Sequence, residues 1–247
     1  MNKIFWNAYW KKSDLQLNDK YIPPGFEIWG KYLPNSEKSI CLEIGCVPGR
    51  ALIYLNKKYK YQILGVDYSK HLPLTEENLR TAGVLNFKLF NEDFLAFSSE
   101  IKADIVLSIG FIEHFLNFEE VLDKHIKHLN PSGTIIIVIP NFRFFQYLLH
   151  SLFDREILKN HVLKIMNPRI LYDFFKRNNM EICVCRYWKT FDWWIESKGK
   201  NKLIKILREK LLGLTWLINN NLKKIGLSDI PNRYFSPYIV CVAKKRE

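Results

Sequence analysis

The chain has 247 residues and lacks any run of about 18 apolar residues, so no stretch of it reads as a membrane-spanning helix. Its first residues, MNKIFWNAYWKKSD, lack the long apolar core of a secretory signal. Cysteine is scarce. Five residues, an odd number and scattered, argue against a disulfide framework and for a reducing compartment. Acid is also in deficit: 25 Asp and Glu face 37 Lys and Arg, a net charge of +12. That field suits anionic partners such as nucleic acid, acidic lipid heads or phosphorylated substrates; it is equally the charge of a basic soluble surface. No internal repeat or low-complexity tract is visible. Core material, by contrast, is plentiful. Hydrophobic residues make up 48%, with seven Trp and seventeen Phe, enough for one large domain or one domain with an insertion.

Residues 1–36 read as a short helical, aromatic cap that ends in the turn-formers Pro34-Asn35-Ser36. Residues 37–247 then alternate strand-like and helix-like segments. SICLEIG (39–45), YQILGVDYS (61–69), NFKLFNEDF (86–94), ADIVLSIG (103–110) and GTIIIVIPN (133–141) are five strands. RALIYLNKKY, TEENLRTAG and FEEVLDKHIKHL are helices between them. Near-continuous apolar strands separated by helices indicate a parallel sheet covered on both faces. The fold class is therefore α/β and doubly wound, with its ligand at the carboxyl ends of the strands. Residues 143–167 read as a connection, and PRILYDFFKRNNM (168–180) as a helix opened by Pro168. EICVCRYWKT is a sixth strand, 198–230 carries a basic helical insertion, and SPYIVCVAKKR (236–246) is a last strand. Cys183 and Cys185, two apart on a strand, face one side and read as core rather than as a metal pair.

The segment CLEIGCVPGR after the first strand resembles a nucleotide-binding turn but departs from the dinucleotide pattern. That pattern asks for glycine at 45, 47 and 50; the chain has Gly45, Val47 and Arg50. Val47 blocks close approach, and Pro48 removes a backbone donor, so a pyrophosphate is disfavoured. Asp67 ends the second strand, where its two oxygens can accept hydrogen bonds from a vicinal diol. Asp93 follows the third strand, where it can accept from an amino group, and Phe94 beside it can pack on a base. Glu113 and His114 follow the fourth.

In order, EIGCVPG, GVDYS, NEDF, SIGFIEHF and LNPSGTIIIVIPN resemble the motifs of class I S-adenosylmethionine-dependent methyltransferases. The resemblance covers roughly residues 37–142 and the last two strands. It implies a mostly parallel seven-stranded Rossmann-like sheet, with SPYIVCVAKK as an antiparallel strand beside the fifth. It implies S-adenosyl-L-methionine as cofactor. By the resemblance, Glu43 approaches the methionine amino group, and the backbone at Gly45, Cys46 and Gly49 approaches the methionine moiety. Asp67 binds the ribose diol and Tyr68 flanks the adenine. Asp93 holds the adenine amino group, with Phe94 beside it. Ser108 to Gly110 line the methionine portion near the methyl group. The plainer alternatives stay open: Asp67 and Asp93 as loop carboxylates, Glu43 as a polar strand end, Phe94 as core.

A sulfonium carries its own leaving group, so the protein need only position the reactants, an effect worth about 7–11 kcal/mol. A hydroxyl acceptor also needs a base. His114 is the first candidate and His161, in KNHVLKIMNP, the second. Ubiquinone-type O-methyltransferases carry a related Glu-x-x-Glu-His pattern linked to metal binding. Its first acidic position is Gly110 here, and no metal is expected.

The Asn/Asp-Pro-Pro-aromatic motif and the Pro-Cys nucleophile of two DNA-methylating classes are missing. The expected reaction is O-methylation of a small-molecule, sugar or glycan, or lipid-linked acceptor. The alternatives are an RNA methyltransferase, since the charge does not exclude RNA, and a non-catalytic S-adenosylmethionine-binding scaffold. In the insertion, Leu203, Leu207, Leu211 and Leu214 recur at helical spacing, and Lys202, Lys205 and Arg208 lie on another face. The segment reads first as a lid packed on the domain, second as a peripheral contact of residues 200–225 with an anionic membrane. Phe5, Trp6, Tyr9 and Trp10, and Phe191, Trp193 and Trp194, are either walls of an acceptor pocket or core. The expected compartment is the cytoplasm, with the membrane-peripheral site as its variant.

Overall fold

The computed structural model describes residues 3–12, 20–98, 100–192, 195 and 202–246. In chain order the elements are α1 (Lys3–Lys12), α2 (Phe26–Trp29), β1 (Ile40–Ile44), α3 (Arg50–Tyr59), β2 (Gln62–Val66), α4 (Leu72–Thr81), β3 (Phe87–Phe90) and β4 (Ala103–Ile109). They continue with α5 (Phe118–Lys127), β5 (Leu129–Pro140), α6 (Phe144–Phe153), α7 (Arg155–Lys159), α8 (Pro168–Arg177), β6 (Glu181–Trp188), α9 (Lys202–Lys224) and β7 (Tyr238–Lys244). The strands form one seven-stranded sheet in the order β3-β2-β1-β4-β5-β7-β6. β1 to β5 pair in parallel, and β7 is antiparallel to both β5 and β6. The expected doubly wound sheet with an antiparallel strand beside the fifth is what forms.

Alternation along each strand sends side chains to two separate cores. Leu42, Val106, Ile137 and Cys241 face the layer that α5 and α8 cover. Cys41, Leu107, Val138 and Val240 face the layer of α2, α3 and α4, where Trp29 is fully buried. α8 starts as expected: the Asn167 side chain accepts the Arg169 N–H at 3.1 Å, and Pro168 stands at the first helical position.

Three departures have physical causes. Residues 143–167 hold two helices, α6 and α7, because FFQYLLHSLF is apolar almost all round and shows no polar face to mark its period. Pro131-Ser132-Gly133 is a bulge inside β5 rather than a turn before it: Ala103 pairs with Leu129, but Ile105 pairs with Thr134. Cys183 and Cys185 do not share a side. A register shift between Ile182 and Val184 turns them apart, so Cys183 packs on one core and Cys185 on the other.

α5 buries Phe118, Val121, Leu122 and His125 at i, i+3, i+4 and i+7. His125 thus occupies a core position. Its Nδ1 donates to the Val121 carbonyl at 2.7 Å, its Nε2 is buried with no partner, and burial pushes its pKa down to about 3. The unfolded chain therefore takes up a proton here below about pH 6.5 that the native state resists, so stability is lost as pH falls through that window. His125→Leu is expected to shrink the drop in melting temperature between about pH 7 and about pH 4. Scanning calorimetry of both proteins at several pH values checks this, and an equal drop would show that His125 titrates without cost.

Candidate active site

A cavity of about 380 Å³ opens beyond the carboxyl ends of β1, β2, β4 and β5. Its sheet side is made by Gly45, Asp67, Gly110 and Pro140. Its other wall is the N-terminal helix α1, through Trp6, Tyr9 and Trp10. α1 is tied down at the β2–α4 loop: the Asn7 side-chain oxygen accepts from Lys70 N–H at 3.4 Å, and the His71 ring meets the Asn7 carbonyl at 3.3 Å. The aromatic residues of α1 therefore wall the cavity, while Phe5 packs against the core. Phe191 is buried and does not line the cavity. Trp193 and Trp194 lie outside the described residues.

The turn after β1 is built around positive φ. Gly45 has φ 77° and Gly49 has φ 88°. A Cβ on Gly45 would lie 2.6 Å from the Phe111 ring. Between the two glycines, Val47 is buried and the Val47–Pro48 bond is cis. The Val47 N–H donates to Asp67 Oδ2 at 3.2 Å, and the Ser69 N–H donates to Asp67 Oδ1 at 2.8 Å. Asp67 thus joins the β1–α3 turn to the β2–α4 turn and keeps lone pairs toward the cavity. Burial holds its pKa above the usual carboxylate range, against those two hydrogen bonds.

Glu43 lies deeper. It is buried, its pKa is pushed well up by burial and then by the charge of Asp67, and its Oε2 has no hydrogen-bond partner. Such a carboxylate gains from a cation brought to it. Ser108 on β4 is likewise buried with an unpartnered Oγ. Neither of these side chains lines the cavity itself. Tyr21 lines the cavity near both Glu43 and Arg50: burial, then Glu43, raises its pKa, and the Arg50 guanidinium stands 5.9 Å from its ring centre.

Of the other residues picked from sequence, Tyr68 lines the cavity, while Cys46 and Gly49 do not; Cys46 is buried in the core. Asp93 caps the turn that follows, accepting the Leu95 N–H at 3.0 Å. Phe94 is 3% exposed and sits edge-on to His125 at 4.9 Å, among core side chains.

His114 and His161 meet at the cavity, with ring centres 4.5 Å apart and Trp6 4.1 Å from His114. Their hydrogen bonds differ. His114 faces carbonyl oxygens with both nitrogens, Asn160 at 3.0 Å and Gly110 at 3.1 Å. His161 faces one, with Nδ1 2.6 Å from the Ile157 carbonyl. A carbonyl only accepts, so Nδ1 of His161 carries the hydrogen and Nε2 carries the lone pair. Burial lowers the pKa of His114 to about 3 and that of His161 to about 4, so both rings are neutral near pH 7. Glu113, His114 and His161 each offer one ligand atom within 4.8 Å of the others, an arrangement able to hold a divalent cation.

The comparisons agree with this fold. Residues 26–184 match the family model described as a methyltransferase domain. The chain belongs to that family, and its fold and cofactor class are those of the class I S-adenosylmethionine-dependent methyltransferases. A ubiquinone biosynthesis O-methyltransferase, mitochondrial, of Dictyostelium discoideum is 23% identical over 186 residues, 66% of this chain. The match spans 58% of that relative's length. Among solved structures, an S-adenosylmethionine-dependent methyltransferase from Thiobacillus denitrificans in complex with S-adenosyl-L-homocysteine superposes with a TM-score of 0.59 at 15% identity, over 100% of this chain and 99% of its own. Phosphoethanolamine N-methyltransferase 2 of Haemonchus contortus, solved with S-adenosyl-L-methionine, gives a TM-score of 0.61 at 14% identity, over 98% of this chain and 56% of its own.

Tyr21 and Phe142 also line the cavity and carry no motif in the sequence, and Ser69 and Tyr238 line it without having been singled out for a role. Tyr238 arrives because β7 is inserted antiparallel beside β5, as expected, which pairs it with Pro140 at the cavity. Gly45→Ala is expected to cost about 1–3 kcal/mol, because it strains a positive φ and drives a methyl group into Phe111. Urea titration of the variant reads this directly; native stability would show that the turn can relax.

Proposed function

We propose that the chain transfers the methyl group of S-adenosylmethionine to an oxygen of a small-molecule, sugar or lipid-linked acceptor. The observation that carries the choice of oxygen is the pair of neutral histidines at the cavity, one with a basic nitrogen left over. A hydroxyl must lose its proton as it is methylated, and a positioned base supports that. The relative named as an O-methyltransferase supports the same atom. The fold alone does not choose, since the Haemonchus neighbour is named for N-methylation.

In this reading Asp67 accepts from the ribose hydroxyls with the lone pairs that the loop N–H groups leave over. Tyr68 flanks the adenine beside it. Glu43 receives the ammonium of the methionine end, whose charge favours the ionised form that burial resists. The backbone at Gly45, the one of the three turn positions that lines the cavity, carries the methionine moiety, and Ser108 to Gly110 stand at the approach to the methyl group. The donor supplies an electrophilic methyl on a sulfonium. This chain's groups hold it in line with the acceptor oxygen. An oxygen lone pair forms the new C–O bond, the C–S electrons return to sulfur, and the hydroxyl proton passes to Nε2 of His161. His114 ranks second as base because its two nitrogens both face carbonyls. It serves better as a wall of the cavity that packs against Trp6. The Trp6 indole N–H is buried without a protein partner and is a ready donor to a polar acceptor group.

Two measurements test this. Asp67→Ala is expected to abolish calorimetric binding of S-adenosylhomocysteine; unchanged affinity would remove Asp67 from the ribose. Once an acceptor is found by labelled methyl transfer into lipid, glycan and small-molecule fractions, His161→Ala is expected to lower kcat by about 10²–10⁴-fold, with a smaller loss for His114→Ala. The reverse ranking would make His114 the base, and loss of turnover on adding a chelator would point to a cation at Glu113, His114 and His161 instead.

A further inference from the structure

The cavity is lined by no residue of α9, so this helix is not the cover of the site. The four leucines that recur along it do not form one buried face. Leu207 and Leu211 are half-buried, while Leu203 and Leu214 are exposed. The packed stripe runs instead through Ile204, Leu211, Thr215 and Leu222, with Arg208 donating to the Ile195 carbonyl at 3.1 Å. The side turned outward mixes apolar and charged residues. Trp216 is 68% exposed and Leu217 50%, with Ile206 and Leu214 near 40%. Around them the helix carries Lys202, Lys205, Lys210, Lys223 and Lys224, against Glu209 as its one acidic residue.

A second exposed cluster of the same chemistry lies at the rim of the cavity. The Arg143 and Arg233 guanidinium groups stand 5.2 and 5.4 Å from the Phe144 ring, which meets Tyr234 at 5.0 Å. Asn141 links the two stretches, donating to the Arg233 carbonyl at 3.2 Å. Phe142 and Pro140, one and three residues before Arg143, line the cavity. α6 continues the cluster with exposed Tyr147, Leu148 and Leu152. Both helices are fastened to one segment: Gln146 of α6 donates to the Asp192 carbonyl at 2.9 Å, and α9 is held through Ile195.

We propose that the outward face of α9, together with the Arg143–Phe144 and Arg233–Tyr234 cluster, docks on an anionic lipid surface. Charge and apolarity occur together on this face, which is the pairing that an interfacial helix needs. Leucine and tryptophan enter the boundary between headgroups and acyl chains, lysines lie at the headgroups, and arginine and tyrosine suit the same depth. A second copy of the chain is the poorer occupant, because two chains of net charge +12 would bring like-charged helices together. Nucleic acid would engage the lysines and leave Leu214, Trp216 and Leu217 in water. No helix of the described residues is long and apolar enough to cross a membrane, so the contact lies in the plane of the surface. The proposal rests on exposure and charge and is independent of which acceptor is methylated.

The test is co-flotation of the full chain with phosphatidylcholine vesicles containing about a third phosphatidylglycerol, beside vesicles of phosphatidylcholine alone. Binding is expected to the anionic vesicles, at least about tenfold weaker to the neutral ones, and to weaken with added salt. The double substitution Leu214→Glu, Leu217→Glu falls on exposed positions and is expected to lower vesicle binding at least about tenfold at an unchanged melting temperature. Wild-type protein that fails to float, or a variant that floats as well as wild type, overturns the proposal. So does a wild-type dimer in sedimentation velocity that the double variant splits, since the face would then be a self-association surface. Single-stranded RNA binding without vesicle binding would assign the lysines to nucleic acid and overturn it as well.

Discussion

One half-buried carboxylate organises the site. Asp67 accepts from the Val47 N–H and the Ser69 N–H, and so fixes two loops that leave two neighbouring strands. The loop after β1 can then keep its two left-handed glycines without a glycine between them, because the amide of residue 47 points to Asp67 rather than toward a ligand. The same commitment removes that amide from any phosphate. What remains facing the cavity is carboxylate and aromatic surface, a lining suited to a cation with hydroxyl groups. Glu43, buried with one oxygen unpartnered, extends that preference for positive charge into the core.

The second constraint is dryness. His114, His125 and His161 are all held neutral by burial, yet only two of them reach the cavity. A depressed pKa therefore does not single out a functional histidine in this chain. The hydrogen-bond pattern does. His125 spends its hydrogen on its own helix, His114 lies between two carbonyls, and His161 has one nitrogen tied and one left over.

Much of the fold can be read from the sequence because local and global preferences coincide in the first half. The apolar runs of β1, β2 and β4 are too continuous for a half-exposed strand, and α3 and α5 show clean amphipathic periods. The reading weakens where a single period is diluted. α6 is apolar nearly all round, and the bulge in β6 turns Cys183 and Cys185 apart with no local residue to announce it. For the site, Asp67, Gly45 and Gly110 are legible because each stands directly beyond a strand. Tyr21 and Phe142 are not, since their place at the cavity depends on how distant segments fold back. Phe94 takes the plainer of its two readings: it turns inward to the core, and neither it nor Asp93 lines the cavity. The leucines of α9 mislead for a further reason: helical spacing shows that residues share a face, but not whether that face meets protein or water.

β7 lies between β5 and β6 and pairs with both, although it follows them by a long stretch of chain. Until residues 238–244 have been made, β5 and β6 each present an unsatisfied edge, the arrangement most prone to pairing with other chains. Tyr238, at the start of that strand, also completes the cavity wall. A nascent chain can thus assemble the parallel half of the sheet early, yet it has neither a closed sheet nor a finished pocket before its last strand slots between two waiting neighbours. Competence for ligand and protection against aggregation are gained in the same late event, which makes this strand a point where synthesis, quality control and activity converge.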